Sequence, residues 1–467
     1  MDLLVPLDGH SEKPLYEQIY LYIRNEIRTG GLKAGIRLPS TRVLAEHLKV
    51  SRSTTQMAYE QLLAEGYVES VPCRGYFIAR MEELVEVAAQ TNGAMIKSDD
   101  QKVRRYTVDF SPRGIDLDSF PYNTWRKLSK DTLINDNGEM FHKGDPQGEP
   151  GFREAIRGYL HSARGVNCTA NQIVVGAGSE YLLMLLAQIL GSGRRIAMEN
   201  PTYMQAYQVF HSLGYQVCPV DMDASGLDPQ LLQGSGADVA YIMPSHQYPM
   251  GIVMPVGRRQ ELLKWAGEAP ERYLIEDDYD SEFRYKGKPI PALQGMDKQG
   301  KVIYIGTFSK SIAPAIRVSY LVLPLPLLKR YQEQAGFYAS TVSRIDQNIL
   351  YQFLSEGYFE RHLNRMRAVY KAKHDALMTA IRPFEKDFVI RGEHAGLHIL
   401  LTDRSGKSEE LLIRQAADAG VRVYELSHHY IHPELAREKS TVVLGYATLH
   451  EDDIVTGVGL LKKSWEL

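Results

Sequence analysis

Leu15, Ile19, Ile23 and Ile27 recur at four-residue spacing, a pattern that predicts an amphipathic helix from Pro14 to Thr29, opened by the proline and closed by Gly30-Gly31. A second helix follows Pro39, with Ser40 as its cap and Leu44 and Leu48 as its apolar edge, up to a break at Lys49-Val50. Ser51 caps a third, SRSTTQMAYEQLLAEG, which turns Met57, Ala58, Tyr59 and Leu62 inward and leaves Arg52, Ser53, Thr54 and Thr55 in an exposed first turn. After Gly66, YVESVPCRGYFIA reads as two short strands around a turn at Cys73-Arg74-Gly75, with Arg74 at the tip.

The pattern then changes. EELVEVAAQTNGAMIKSDDQKVRR is charged, poor in large apolar residues and without a sustained period, which predicts a linker over 81–107 with a short helix around Glu82 to Gln90. The head is thus 1–80 and the body 108–467. In the body, β-branched runs (Ile173–Val175, Ile196–Met198, Val239–Met243, Tyr273–Ile275, Val302–Ile305 and Val318–Leu323) alternate with helical stretches. This alternation predicts an α/β sheet, whose ligands bind beyond the carboxyl ends of the strands.

A chain of 467 residues is too long for one ordinary domain, which agrees with that division. Its 44% hydrophobic and 24% charged residues suit a globular protein, and no apolar run reaches the roughly 18 residues of a membrane span, so no membrane partner is expected. MDLLVPLDGHSEK lacks the basic start and apolar stretch of a signal peptide, which makes the cytoplasm the expected location. Cys73, Cys168 and Cys218 are isolated, so neither a disulfide framework nor a metal site is expected. The net charge of −3 hides a basic segment, in which Arg24, Arg28, Lys33, Arg37, Arg42, Lys49 and Arg52 face only Glu26 and Glu46. Alone, such a run reads as a solvated helix face. Here it coincides with a polar first helical turn and an arginine-tipped hairpin, as DNA reading by a helix-turn-helix requires: the start of the recognition helix meets base edges while its neighbours grip phosphate.

The residues just beyond the predicted strands carry chemistry. Gly176-Ala177-Gly178-Ser179-Glu180 leads into the apolar helix YLLMLLAQIL and serves either as a phosphate cradle or as a tight strand-to-helix turn. Glu276-Asp277-Asp278-Tyr279 follows one strand, Thr307-Phe308-Ser309-Lys310 another, and Arg317 lies seven residues further on. Taken singly, Lys310 reads as a surface lysine and Asp277 as a solvated acid. Together they match one partner: a lysine forms a Schiff base with an aldehyde, a carboxylate keeps a pyridinium nitrogen protonated, and a tyrosine hydrogen-bonds a phenolic oxygen. Pyridoxal 5'-phosphate offers all three groups.

The stretch KPLYEQIYLYIRNEIRTGGLKAGIRLPSTRVLAEHLKVSRSTTQMAYEQLLAEGYVESVPCRGYFI resembles the winged helix-turn-helix of GntR-family regulators. The resemblance implies that Arg42, Arg52, Ser53, Thr54, Arg74 and Gly75 approach double-stranded operator DNA, with Ser51 and Thr55 in the same turn. Some members of the family carry arginine where this chain has Gln56, so base preference does not transfer.

From about residue 108 onward, Ile275–Tyr285 and Gly306–Arg317 resemble the cofactor segments of fold-type I aminotransferases. That implies Lys310 as the Schiff-base lysine, Asp277 at the pyridine nitrogen, Tyr279 at the ring hydroxyl, Tyr203 on the ring face, and Ser179, Thr307, Ser309 and Arg317 at the phosphate. Two positions depart from the family. Tyr248 replaces the usual asparagine before the proline of SHQYPMG, with His246 nearby, and the late strand Thr441–Tyr446 lacks the usual carboxylate-binding arginine, leaving Arg422 as the neighbour in sequence.

The fusion resembles the MocR/GabR subfamily. It implies an α+β winged helix-turn-helix head followed by an α/β fold-type I body, with a mainly parallel sheet and a smaller C-terminal α/β subdomain. It also implies a homodimer, each head resting against the partner's body, that senses an amino compound or pyridoxal phosphate. Two alternatives remain open from the residues: a working aminotransferase with a DNA tether, and a repressor whose lysine site is vestigial.

Overall fold

The computed structural model describes residues 3, 5–9, 11, 13–72, 74–80, 105–133, 138–285, 290–436 and 438–466. The chain divides into two compact units, 1–103 and 104–467. Cys73, the segment 81–104 and the short helix expected around Glu82 to Gln90 lie outside the described residues.

The first unit contains α1 (Leu15–Arg28), α2 (Thr41–Leu48) and α3 (Arg52–Ala64), followed by the antiparallel hairpin β1 (Val68–Val71) and β2 (Gly75–Ile78). Ile19, Ile23, Leu44, Ala58, Tyr59 and Leu62 are fully buried between the helices, whereas Leu15, at the start of α1, is exposed. Ser40 and Ser51 cap α2 and α3, accepting from the backbone N–H of Val43 and Thr54.

Two expectations for α3 are corrected. Thr55 is fully buried, not part of the exposed turn; its hydroxyl donates to the carbonyl of Thr41 at 2.8 Å and so ties α3 to the start of α2. Met57, expected inside, is 48% exposed. The inward stripe is Thr55, Ala58, Tyr59 and Leu62, spaced i, i+3, i+4, i+7, and helical angle overrides side-chain polarity at both positions.

The second unit is built on an eight-stranded sheet. Its strands are β4 (Ile173–Gly176), β5 (Arg195–Asn200), β6 (Gln216–Asp223), β7 (Gly226–Leu227), β8 (Val239–Ile242), β9 (Tyr273–Asp278), β10 (Val302–Thr307) and β11 (Ser319–Val322), in the order β4-β11-β10-β9-β8-β5-β6-β7. The β10, β9, β8, β5 and β6 run is parallel throughout, while β11 opposes both its neighbours. Helices cover both faces. Ser179–Leu190 packs with Ile196, Tyr241, Ile275 and Ile303, and the opposite face joins Tyr304, Tyr320 and Val322 to Phe152, Ile156 and Leu350.

A smaller antiparallel sheet near the C-terminus is ordered β12 (Phe388–Arg391), β13 (His398–Asp403), β16 (Thr441–Gly445), β15 (Tyr424–Glu425). The chain enters this subdomain through β3 (Val108–Asp109), which pairs in parallel with β14 (Val421–Arg422). Phe110 then donates to the Arg422 carbonyl and accepts from the Gly445 N–H at 2.8 Å. A Cβ on Gly445 would lie 2.2 Å from the Ser111 carbonyl, so glycine at the end of β16 is what lets segment 110–113 cross it. Among the described residues no helix is long and apolar enough to cross a membrane.

The Thr55 correction is directly measurable. Thr55→Val keeps the shape and removes the donor, lowering the unfolding free energy of the first unit by about 1–3 kcal/mol. Met57→Ala changes it by less than about 0.5 kcal/mol. Hydrogen exchange of α2 and α3 amides across a urea series reads both.

Candidate functional site

The parallel strands present their carboxyl ends to one cavity of about 250 Å³. Lys310, Asp277, Tyr279 and Tyr203 line it, together with Ser179, Thr307, Ser309 and Arg317, so the eight residues expected at the cofactor reach the same space. Each arrives from a strand end: Asp277 from β9, Thr307 from β10, and Tyr203 just beyond β5.

Asp277 is almost wholly buried, and its carboxylate accepts from the Tyr241 hydroxyl. Burial pushes this carboxyl up to about 7, against the Tyr241 bond, and the nearby carboxylates of Asp278 and Asp280 push the same way. A cationic ring nitrogen is the partner that would restore its charge. Burial also lowers the Lys310 amine to about 8; Asp280 opposes that shift and the positive charge of Arg113 adds to it. The Lys310 Nζ donates to the Arg113 carbonyl at 2.9 Å.

The far end of the cavity suits an anion. Arg317 sits in the left-handed region at φ 51° and donates to Glu180 at 2.8 Å. Its guanidinium lies against Gly178, where a Cβ would approach Nη2 to 2.4 Å. Gly178 precedes the Ser179–Leu190 helix, whose first N–H groups have no intrahelical acceptors. Ser309 adds a buried hydroxyl with no hydrogen-bond partner among the described residues, and the Thr307 hydroxyl accepts from Ser319 at 2.8 Å.

His246 does not line the cavity. Its Nδ1 lies 2.9 Å from Asp280 and 3.0 Å from the Tyr279 hydroxyl, beneath the side chain it orients. Tyr248, standing where the family has asparagine, contacts the rings of Tyr279, His398 and His429 at centroid distances of 5.9, 5.2 and 4.9 Å. Arg422 faces elsewhere: it pairs with Asp109 at 3.6 Å, stacks over Tyr424 and is absent from the lining.

In the first unit, Ser51, Arg52, Ser53 and Arg74 are exposed, with Thr54 and Gly75 half-buried beside them. Arg42 is 77% exposed and pairs with Glu46 one turn along α2. Arg74 lies over the Phe77 ring at the hairpin.

The family model for aminotransferases of class I and II matches residues 115–438, and that for bacterial regulatory proteins of the gntR family matches residues 15–78. The chain is 41% identical over 466 residues to the uncharacterized HTH-type transcriptional regulator YhdI of Bacillus subtilis, covering 100% of this chain and 98% of that one. It is 32% identical over 479 residues to the probable rhizopine catabolism regulatory protein MocR of Rhizobium meliloti, covering 99% and 96%. The chain belongs to the MocR type of GntR-family transcription regulators. PdxR of Corynebacterium glutamicum, a pyridoxine biosynthesis transcriptional regulator, is 31% identical over 430 residues, 92% of each chain. The MocR-type body superposes on the Pyrococcus horikoshii kynurenine aminotransferase with a TM-score of 0.69 and 25% identity, over 78% of this chain and 92% of that one.

Several lining residues escaped the sequence reading of this MocR-type chain: Arg113, Asp280, His398 and His429. Asp280 lay within the stretch Ile275–Tyr285, whereas the others stand outside any motif and are far from Lys310 in sequence.

The lowered amine gives a pH signature. Because its proton leaves near pH 8, acylation of Lys310 by a small amine-directed reagent should be half-maximal near that pH, against about 10.4 for an unperturbed lysine. Peptide mapping by mass across a pH series measures it, and a midpoint near the ordinary value contradicts the burial argument.

Proposed function

We propose that this regulator binds a double-stranded operator through its first unit and holds pyridoxal phosphate with an amino-compound effector in the cavity of the second. The convergence of Lys310, Asp277 and an anion cradle in one cavity carries this reading. The residues fit the cofactor. Asp277, which pairs with no cation among the described residues, would face the pyridine nitrogen; Tyr279 the ring oxygen; Tyr203 the ring face. Ser179, Thr307, the unpartnered Ser309 hydroxyl and Arg317 would take the phosphate, for which a bidentate guanidinium and free helix N–H groups are suited. Lys310, neutral above about pH 8, supplies the amine.

When bound, the cofactor supplies an aldehyde carbon that amines attack. His246 and Asp280 hold Tyr279 in place, and Tyr248 and His429 narrow the cavity. We assign this chemistry to sensing rather than turnover, because β16 offers no arginine to orient a substrate carboxylate as the aminotransferase pattern requires. A ligand switches the regulator only if it binds two states with different affinity. A homodimer in the cytoplasm fits this role, since a two-fold protein reads two half-sites.

On the DNA side, Arg42, Ser51, Arg52, Ser53, Thr54, Arg74 and Gly75 form the contacting set; Thr55 is left out because it is buried. Arg52→Ala should weaken operator and non-operator DNA alike and reduce the slope of log K against log salt by about one, measured by fluorescence anisotropy.

The decisive measurement is the visible absorbance of the purified chain and of Lys310→Ala with added pyridoxal phosphate, before and after a panel of amino compounds. A band that Lys310→Ala lacks and that an amino compound shifts, without release of keto acid, supports the sensor. Sustained keto-acid release over many turnovers would establish the aminotransferase instead, and no band in the wild type would remove the cofactor from the proposal.

A further inference from the structure

A carboxylate on the effector would need a cation that neither β16 nor Arg422 provides. Residues Thr441–Gly445 of β16 are buried throughout and carry no charge. Arg422 is committed to Asp109 and its tyrosine neighbours, and Arg391 on β12 to Glu438. Among the described residues, three lysine or arginine side chains line the cavity: Arg317, Lys310 and Arg113. The first is held by Glu180, and the second is the amine reserved for the aldehyde. The cavity histidines do not substitute, because burial lowers His398 to about 3 and His429 to about 4, leaving both neutral at pH 7.

Arg113 differs from the other two. Its side chain is exposed where it lines the cavity and its guanidinium makes no hydrogen bond or ion pair among the described residues, while its backbone is fixed. Segment 110–113 is held by the pairing of β3 with β14, by the Phe110 bonds to Arg422 and Gly445, and by the Lys310 amine on the Arg113 carbonyl. Its charge also reaches the cavity. After burial, which raises the Tyr248 hydroxyl to about 12 and lowers His429, Arg113 acts on both groups, and on Lys310 as well. A fixed backbone with an unpartnered guanidinium beside the reactive amine is the arrangement a bidentate carboxylate site needs.

We propose that Arg113 binds the carboxylate of the effector, which makes that effector an amino acid and not a simple amine. The ligand's amine meets Lys310 and its carboxylate meets Arg113, between the uncharged walls of Tyr248 and His429. Arg113 thus takes over, from a different part of the chain, the task that the aminotransferase pattern gives to a late-strand arginine. This assignment rests on the sensing role proposed above.

The test compares the full-length wild type, Arg113→Gln and Arg113→Lys, each loaded with pyridoxal phosphate. Each is titrated with the standard L-amino acids, β-alanine and γ-aminobutyrate, and with the amines left by removing their carboxylates, followed by the visible band and by calorimetry. Both variants still form the visible cofactor band, which shows that the site is intact. The amino acid that shifts the wild-type band binds Arg113→Gln about ten- to a hundredfold more weakly, with partial recovery in Arg113→Lys, while its matching amine binds all three chains alike. Equal affinity of the amino acid for wild type and Arg113→Gln overturns the assignment and leaves the sensing role standing. So does a wild type that prefers the amine. A loaded wild type whose band no amino compound shifts overturns the sensing role, and the assignment falls with it.

Discussion

Burial of an acid and an amine at the same edge of one sheet is the constraint on which the second unit turns. Asp277 lies near the end of β9 and Lys310 three residues beyond the end of the neighbouring parallel strand β10; the carboxyl is almost wholly buried and the amine is half-buried against the cavity. In such surroundings each drifts toward its neutral form, the carboxyl upward and the amine downward. A ligand that brings a ring cation to one and an electrophilic carbon to the other relieves both costs together. The cavity therefore suits such a ligand because of what it withholds from its own residues.

The second unit adds to this a rigid frame with adjustable contents. Phe110 to Arg113 is stitched to the smaller sheet through β14 and β16, yet its carbonyls face the Lys310 amine on the larger sheet. The two sheets of this unit thus meet at the reactive lysine. A ligand that withdraws Lys310 from the Arg113 carbonyl exchanges a hydrogen bond between the sheets for one of its own. Differential contact of that kind is what a sensor requires.

The first unit solves a different problem with ordinary means. Two serine caps set where α2 and α3 begin, and Thr55 joins them through a single buried hydroxyl. Spending one polar residue on that joint frees Arg52, Ser53 and their neighbours to stay exposed at the start of α3. The same helix carries the joint on its inner face and the residues proposed to meet DNA on its outer face.

Much of this was legible in the sequence, and the reason is local. Helix caps, the four-residue spacing of α1, and short polar motifs directly after β-branched runs are written within a few residues, so Ser40, Ser51, Asp277, Lys310 and Ser309 could be singled out before any fold was known. Strand β6, next to the edge of the sheet, could not, because Gln216–Asp223 contains Pro219 and alternates only weakly between exposed and buried positions. Thr55 and Met57 were read by polarity, and the helical angle decided otherwise. By itself the sequence determined the two-part architecture, the strand-end chemistry and the loss of an arginine from β16. Tertiary structure alone decided that Arg113, His398 and His429 share a cavity with Lys310, since they meet across separations of tens to hundreds of residues that no local pattern encodes.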